Sequence, residues 1–202
     1  AEMGTPILID AVESWLQPAI DELALTAMQR HNTARALVYN TVQLYRTDRL
    51  AYLKRITERA KMEGWQLGVK LVRGAYMEKE RDRAIEKGYP SPIHPNKEAT
   101  DRDFNAALEW CVDHAESLFC CAGSHNEKSN ALLAQRMNQR GLNPSDGRFW
   151  FAQLLGMSDH ISFNLSAAGY RVAKYVPFGP IRETIPYLIR RAEENSSVAG
   201  QT

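Results

Sequence analysis

Cysteine is scarce in this chain: three residues, Cys111, Cys120 and Cys121, an odd number with two of them adjacent. That usage fits neither a disulfide framework nor the spaced ligands of a zinc site, so the thiols are expected to serve in packing and in a reducing compartment. An excess of either charge is missing too. The 25 Lys and Arg balance 24 Asp and Glu to a formal +1, which excludes wholesale nucleic-acid binding for want of a basic face. No apolar run approaches the ~18 residues of a membrane span, and no basic region followed by an apolar stretch opens the sequence, so no secretory leader is expected. There is no G-x-G-x-x-G, Walker A loop, H-E-x-x-H or G-x-S-x-G, and the five histidines are scattered. These absences disfavour a Rossmann dinucleotide site, metal hydrolysis and serine acyl transfer, and no metal site is expected.

What is present is the composition of an ordinary globular domain, 202 residues with 44% hydrophobic and 24% charged, enough for one sizeable core. Strand patterns fall at Pro6–Ile9, Ala36–Tyr39, Gln66–Val72, Leu118–Ala122, Arg148–Leu154 and Arg171–Val176. Helical patterns fall at Ala11–Arg30, Arg49–Glu63, Glu78–Lys87, Asp101–His114, Glu127–Arg140 and Ile181–Glu194. Steps of roughly thirty residues between strands match βαβ units, hence a parallel sheet with helical cover. The proline-rich loop Gly88–Pro95 is either a functional loop or a plain connection. Alternation alone fits both an open doubly wound sheet and most of a (βα)8 barrel. The polar residues Asp10, Gln43, Arg73, His125, Gln153 and Tyr175 fall at or just beyond strand C-termini all along the chain. Such spreading is how a barrel builds its rim, whereas an open sheet gathers its site at one switch point.

Three segments carry chemistry. In Lys70-Leu71-Val72-Arg73-Gly74-Ala75-Tyr76 a strand delivers two cations, a close-approach glycine and an aromatic at its end. This suits an anionic ligand; the plain alternative is a strand end with solvated charges. In Tyr187-Leu188-Ile189-Arg190-Arg191, helical spacing puts Tyr187 on the face of the two arginines, with Glu194 beyond. Paired guanidiniums beside an aromatic can clamp a small carboxylate, unless they merely complement a helix C-terminus. In Gly123-Ser124-His125-Asn126, a turn between strand and helix can hold an anion or a cofactor edge, or Ser124 or Asn126 can simply cap the helix.

These three segments, with Asn40–Tyr45, Gln153–Met157 and Tyr175–Pro180, together resemble the proline dehydrogenase family, in order from about Leu8 to Val198. The resemblance implies one barrel domain over residues 1–202, binding FAD non-covalently, oxidising L-proline to Δ1-pyrroline-5-carboxylate and passing electrons to a quinone. It implies peripheral membrane association and a place on the matrix side of the mitochondrial inner membrane, or at the bacterial inner membrane. Asp10 and Ala11 then match the strand end beside the flavin, and Gln43 the glutamine bonded to the isoalloxazine. Lys70 stands where bacterial members often carry arginine, keeping the charge but losing the planar fork. Arg73, Gly74 and Ala75 match the FAD-contacting turn, with Thr100, Ser124, His125, Asn126 and Glu194 as further cofactor contacts. Tyr76, Leu154, Tyr175 and Tyr187 match the wall around the proline ring, and Arg190 and Arg191 the carboxylate clamp. Asp10, Lys70, Arg190 and Arg191 are the expected catalytic set.

In one respect the sequence departs from that pattern. Two earlier barrel strands of the family, one with a substrate-facing lysine, have no counterpart, so about six of eight βα units are expected here. The reading is a proline-oxidising flavoenzyme. Its alternatives are the related hydroxyproline dehydrogenase, which bulky Tyr175 disfavours, and a flavin- or carboxylate-binding module without turnover.

Overall fold

The computed structural model describes residues 4–189. Six parallel strands form one curled sheet, a half-barrel. They are β1 (Ile7–Ile9), β2 (Val38–Gln43), β3 (Leu67–Val72), β4 (Leu118–Gly123), β5 (Phe149–Leu154) and β6 (Val172–Tyr175). Their spatial order is their chain order, each strand hydrogen-bonded to the next. A doubly wound sheet reverses its order at a switch point; uninterrupted sequential order belongs to a barrel wall.

Side chains alternate across such a sheet. The outer set, Val38, Val42, Val69, Leu71, Leu118, Cys120, Phe149 and Phe151, is buried in the main core. Over it pack α1 (Gln17–His31), α2 (Arg49–Glu63), α4 (Lys97–Asp113) and α5 (Glu127–Gln139), which add Met28, Leu53, Phe104 and Leu133. The register aligns Thr41 with Lys70 and Lys70 with Cys121, so these three share the inner face. Among the described residues, β1 and β6 each pair on one side only.

The element boundaries have local causes. α1 starts only at Gln17, with Pro18 in its first turn, where a missing N–H costs nothing; residues 10–16 are a loop instead of the expected first turns. α4 begins at Lys97, four residues before the expected Asp101, because the Asn96 carboxamide accepts from Ala99 N at 2.9 Å. Gly64 and Gly88 end α2 and α3 (Met77–Lys87) in left-handed geometry. β2 runs to Gln43, beyond the expected Tyr39, because Asn40 and Thr41 are satisfied in place and Gln43 is buried. Asn40 donates to Asp21 Oδ1 at 2.7 Å and Thr41 to the Ile9 carbonyl at 2.8 Å. α6 (Asp159–Ala167) was not expected at all. It is short, rich in weak helix formers and buries only Ile161 and Ser162, so it shows little periodicity.

The Gly88–Pro95 loop is pinned to the segment after β2: Thr47 N donates to the Pro92 carbonyl at 3.0 Å and His94 N to the Tyr45 carbonyl at 2.7 Å. The three thiols are buried and free. A hydrogen bond with Cys111, then burial, push the Cys120 thiol up, and burial pushes Cys121 up to about 12. Thiolate, the reactive form, is therefore scarce near neutrality. Ellman's reagent at pH 8 should titrate almost none of the three in the native protein and all of them in denaturant; rapid native reaction would contradict this packing.

Candidate active site

The strand C-termini bring the inner-face residues together. Lys70 emerges from β3 with its stem beside Gly123, and its Nζ donates to Asp10 Oδ1 at 2.6 Å. Its side chain is 18% exposed, that of Asp10 60%. The same ammonium lies 5.6 Å from the centre of the Tyr175 ring. Tyr175 pairs in register with Leu154 and meets Tyr187 edge-on at 6.0 Å. Tyr187 lies in the helical residues 181–189. One cation, one carboxylate and an aromatic-aliphatic wall thus share one patch, with contributions from the loop after β1, from β3, β5 and β6, and from the helical residues 181–189.

The turn after β3 is rigid. Arg73 spreads its guanidinium over three partners: Nε to Asp101 Oδ1 at 2.7 Å, Nη1 to Ser124 Oγ at 2.8 Å and Nη2 to Ser129 Oγ at 2.9 Å. It also lies 4.3 Å from the Phe104 ring centre. Burial opposes the Asp101 charge, but hydrogen bonds from Lys97 and Arg73 hold its carboxyl below the usual range. Two of the five guanidinium N–H groups remain for a further acceptor. Gly74 has φ +132°, and a Cβ there would lie 2.4 Å from the Tyr45 ring, so the backbone approaches that ring as only glycine allows. Ala75 and Tyr76 follow, Tyr76 as the residue before α3.

Beside this turn, Gln43 is 3% exposed at the end of β2, and its Oε1 is buried with no partner among the described residues. Ser124 Oγ accepts from Arg73 and from Asn126 N at 3.1 Å. Asn126 caps α5 through Ser129 N at 2.9 Å, so the capping alternative holds for it in any case. His125 Nδ1 contacts Ser158 Oγ at 2.9 Å. Thr100 is buried on α4, its hydroxyl 3.4 Å from the Asn96 carbonyl. Ala11 follows Asp10 in the β1–α1 loop. Arg190, Arg191 and Glu194 lie outside the described residues.

The chain matches the family described as "Proline dehydrogenase" over residues 1–202. It belongs to the proline dehydrogenase family. It is 44% identical over 200 residues to "Proline dehydrogenase 1, mitochondrial" of Homo sapiens, covering 98% of this chain and 33% of the human protein. It is 39% identical to the "Hydroxyproline dehydrogenase" of Xenopus laevis, covering 95% of this chain and 42% of that protein. The crystal structure of proline utilization A (PutA) from Bdellovibrio bacteriovorus inactivated by N-propargylglycine superposes with a TM-score of 0.89 at 24% identity, over 96% of this chain and 20% of that one. That likeness shows the shared barrel-type fold. The chain thus spans about a third of the length of the human proline dehydrogenase 1 it matches.

Sequence reading placed Gln153 among the rim residues, but it faces the helix layer. It accepts from Ser162 Oγ at 2.9 Å and donates to the Ser124 carbonyl at 3.2 Å. It missed Asp101 and Ser129, which hold Arg73, and Ser158, which starts α6 at φ 51°. A left-handed non-glycine residue has no local signature in sequence beyond the preceding Gly156-Met157.

Proposed function

We propose that this chain provides most of the catalytic barrel of an FAD-dependent enzyme that oxidises L-proline to Δ1-pyrroline-5-carboxylate, with a quinone as electron acceptor. The observation that carries the reading is the Asp10–Lys70 pair set against Tyr175, beside the unpartnered carboxamide oxygen of Gln43. Buried polar atoms normally have partners, and an isoalloxazine edge, with its alternating donors and acceptors, is a fitting one for Gln43. Arg73 with two uncommitted N–H groups, the Gly74–Ala75 backbone, the Ser124-His125-Asn126 turn, Thr100, Ala11 and Glu194 would hold the rest of the cofactor. When bound, FAD supplies the two-electron acceptor for the C–H bond beside the proline nitrogen.

The side chains of the chain do the remainder. Arg190 and Arg191 bind the substrate carboxylate with charge-assisted hydrogen bonds. Leu154, Tyr175, Tyr187 and Tyr76 would wall the ring, exclude water and orient the reacting carbon toward the cofactor. Lys70, aimed by Asp10, offers a fixed positive charge where negative charge builds up. The proline amine has to be neutral before its neighbouring C–H leaves as hydride, so kcat/KM should rise with pH above neutrality toward the amine pKa of about 10; a profile flat between pH 7 and 9 would refute that requirement. Relatives named as mitochondrial support a mitochondrial place; within it the reading is the matrix side of the inner membrane, with the bacterial inner membrane periphery as the alternative, where peripheral contact with the bilayer gives access to quinone. Among the described residues no helix is long and apolar enough to cross a membrane.

Likeness to the Xenopus laevis protein favours hydroxyproline as the second substrate reading; the bulk of Tyr175 in the wall argues for proline over its hydroxylated form. The test is the visible spectrum of the full-length protein under anaerobic titration. A yellow protein bleached by L-proline supports the reading, bleaching by hydroxyproline alone moves it to the second substrate, and a colourless protein that takes up no FAD removes both. Arg190→Ala with Arg191→Ala should weaken apparent proline affinity by about two orders of magnitude while flavin content stays intact. Unchanged proline affinity in that double variant would refute the clamp.

A further inference from the structure

The β1–α1 loop is fastened to α3 residue by residue. Glu13 pairs with Lys79. Ser14 gives both its backbone N–H and its hydroxyl to the two oxygens of Glu80, each at 2.6 Å. Trp15 lies under Arg83, 4.2 Å from guanidinium carbon to ring centre. Three consecutive loop residues thus meet three side chains within the first two turns of one helix. Within the loop, Val12 N donates to Gln17 Oε1 at 2.9 Å and Gln17 N to the Glu13 carbonyl at 3.0 Å, so it moves as a unit with the start of α1.

Glu80 is the residue at the centre of this fastening. It is fully buried, at 0% exposure, where a carboxylate costs several kcal/mol unless its oxygens are satisfied. Both oxygens are satisfied by Ser14, sixty-six residues away in sequence, and its place in the first turn of α3 favours an anion. Its charge also acts on Tyr45, whose hydroxyl pKa is raised first by burial and then by Glu80. The Tyr45 ring is the surface on which Gly74 rests. Glu80 therefore holds the loop that starts with Asp10 through Ser14, with its charge near Tyr45, the support of the turn that follows Lys70 and Arg73.

We infer that Glu80, through Ser14, is a positioning residue that fixes Asp10 against the Lys70 ammonium. Asp10 is mostly exposed, and among the described residues its carboxylate is paired with Lys70. An exposed ion pair alone is worth at most about 1 kcal/mol and would not hold the geometry; a loop fixed four residues downstream does. This rests on the reading of the site given above, and it assigns α3 a part in the chemistry although α3 contributes no group to the patch itself.

The test uses Glu80→Gln, which keeps volume but puts an N–H against a Ser14 donor, with Ser14→Ala and the double variant, all in the full-length protein. Amide exchange in residues 10–16 should rise about tenfold over the rest of the chain. Turnover should fall roughly three- to tenfold at nearly unchanged proline KM and flavin content, and the double variant should be no worse than Glu80→Gln. Glu80→Asp, which keeps the charge but is shorter by one methylene, should restore part of both. Exchange at 10–16 unchanged, exchange rising uniformly along the chain, or additive losses in the double variant would each overturn the inference. Should the parent protein not bleach with proline, the functional reading falls, while the exchange measurement still decides whether Glu80 holds the loop.

Discussion

Gly74→Ala is expected to destabilise the protein by roughly 2–6 kcal/mol, the sum of a left-handed backbone strain of about 1–3 kcal/mol and an overpacking cost of similar size. The φ of +132° disfavours any Cβ, and the one added would stand 2.4 Å from the Tyr45 ring. That ring cannot retreat freely, because the Tyr45 backbone is held on both sides, N–H to the Arg73 carbonyl at 2.7 Å and carbonyl to His94 N at 2.7 Å. A chain of this length should lose roughly 4–24 °C in Tm, and the Arg73 fork, one residue upstream, should lose its alignment with Ser124 and Ser129. Thermal melts with a flavin-content measurement check this. An unshifted Tm would mean that the turn has room which the structure denies it.

The second large effect concerns charge. Lys70→Met keeps the stem along Gly123 and the length of the side chain but removes the ammonium. Turnover should fall about 10²–10³-fold, the cost of removing one preorganised donor from a site of developing charge, whereas Lys70→Arg should keep most of it. Stability should change by no more than about 1 kcal/mol, because Asp10, the partner left behind, is solvated. Steady-state kinetics beside a thermal melt separates the two quantities. A Lys70→Met protein with full turnover would remove this cation from the mechanism.

The sheet was legible because period-two apolar runs recur at βαβ spacing, and five of the six strands lie within a residue or two of where those runs place them. β2 was under-read since Asn40, Thr41 and Gln43 look like a loop until Asp21, Ile9 and the neighbouring strands are seen to satisfy or bury them. α6 failed for the opposite reason: it is a real helix with almost no apolar stripe. In the site, Lys70 and Arg73 could be named as cations at a strand end. Their partners could not, because Asp10, Asp101, Ser124 and Ser129 stand 60, 28, 51 and 56 residues away from them, and such pairing is written in tertiary packing. The clamp residues Arg190 and Arg191 rest on pattern and family membership alone.

The neighbour-to-neighbour strand order has a consequence for how the molecule is made. Every strand docks on the one synthesised just before it, so a nascent polypeptide leaving the ribosome could lengthen its sheet one unit at a time, closing only short loops at each step. The inner-face patch, which draws on β1 at one margin and β6 at the other, would be the last thing to come together. Ligand capture would then report that β1 through β6 have all been translated.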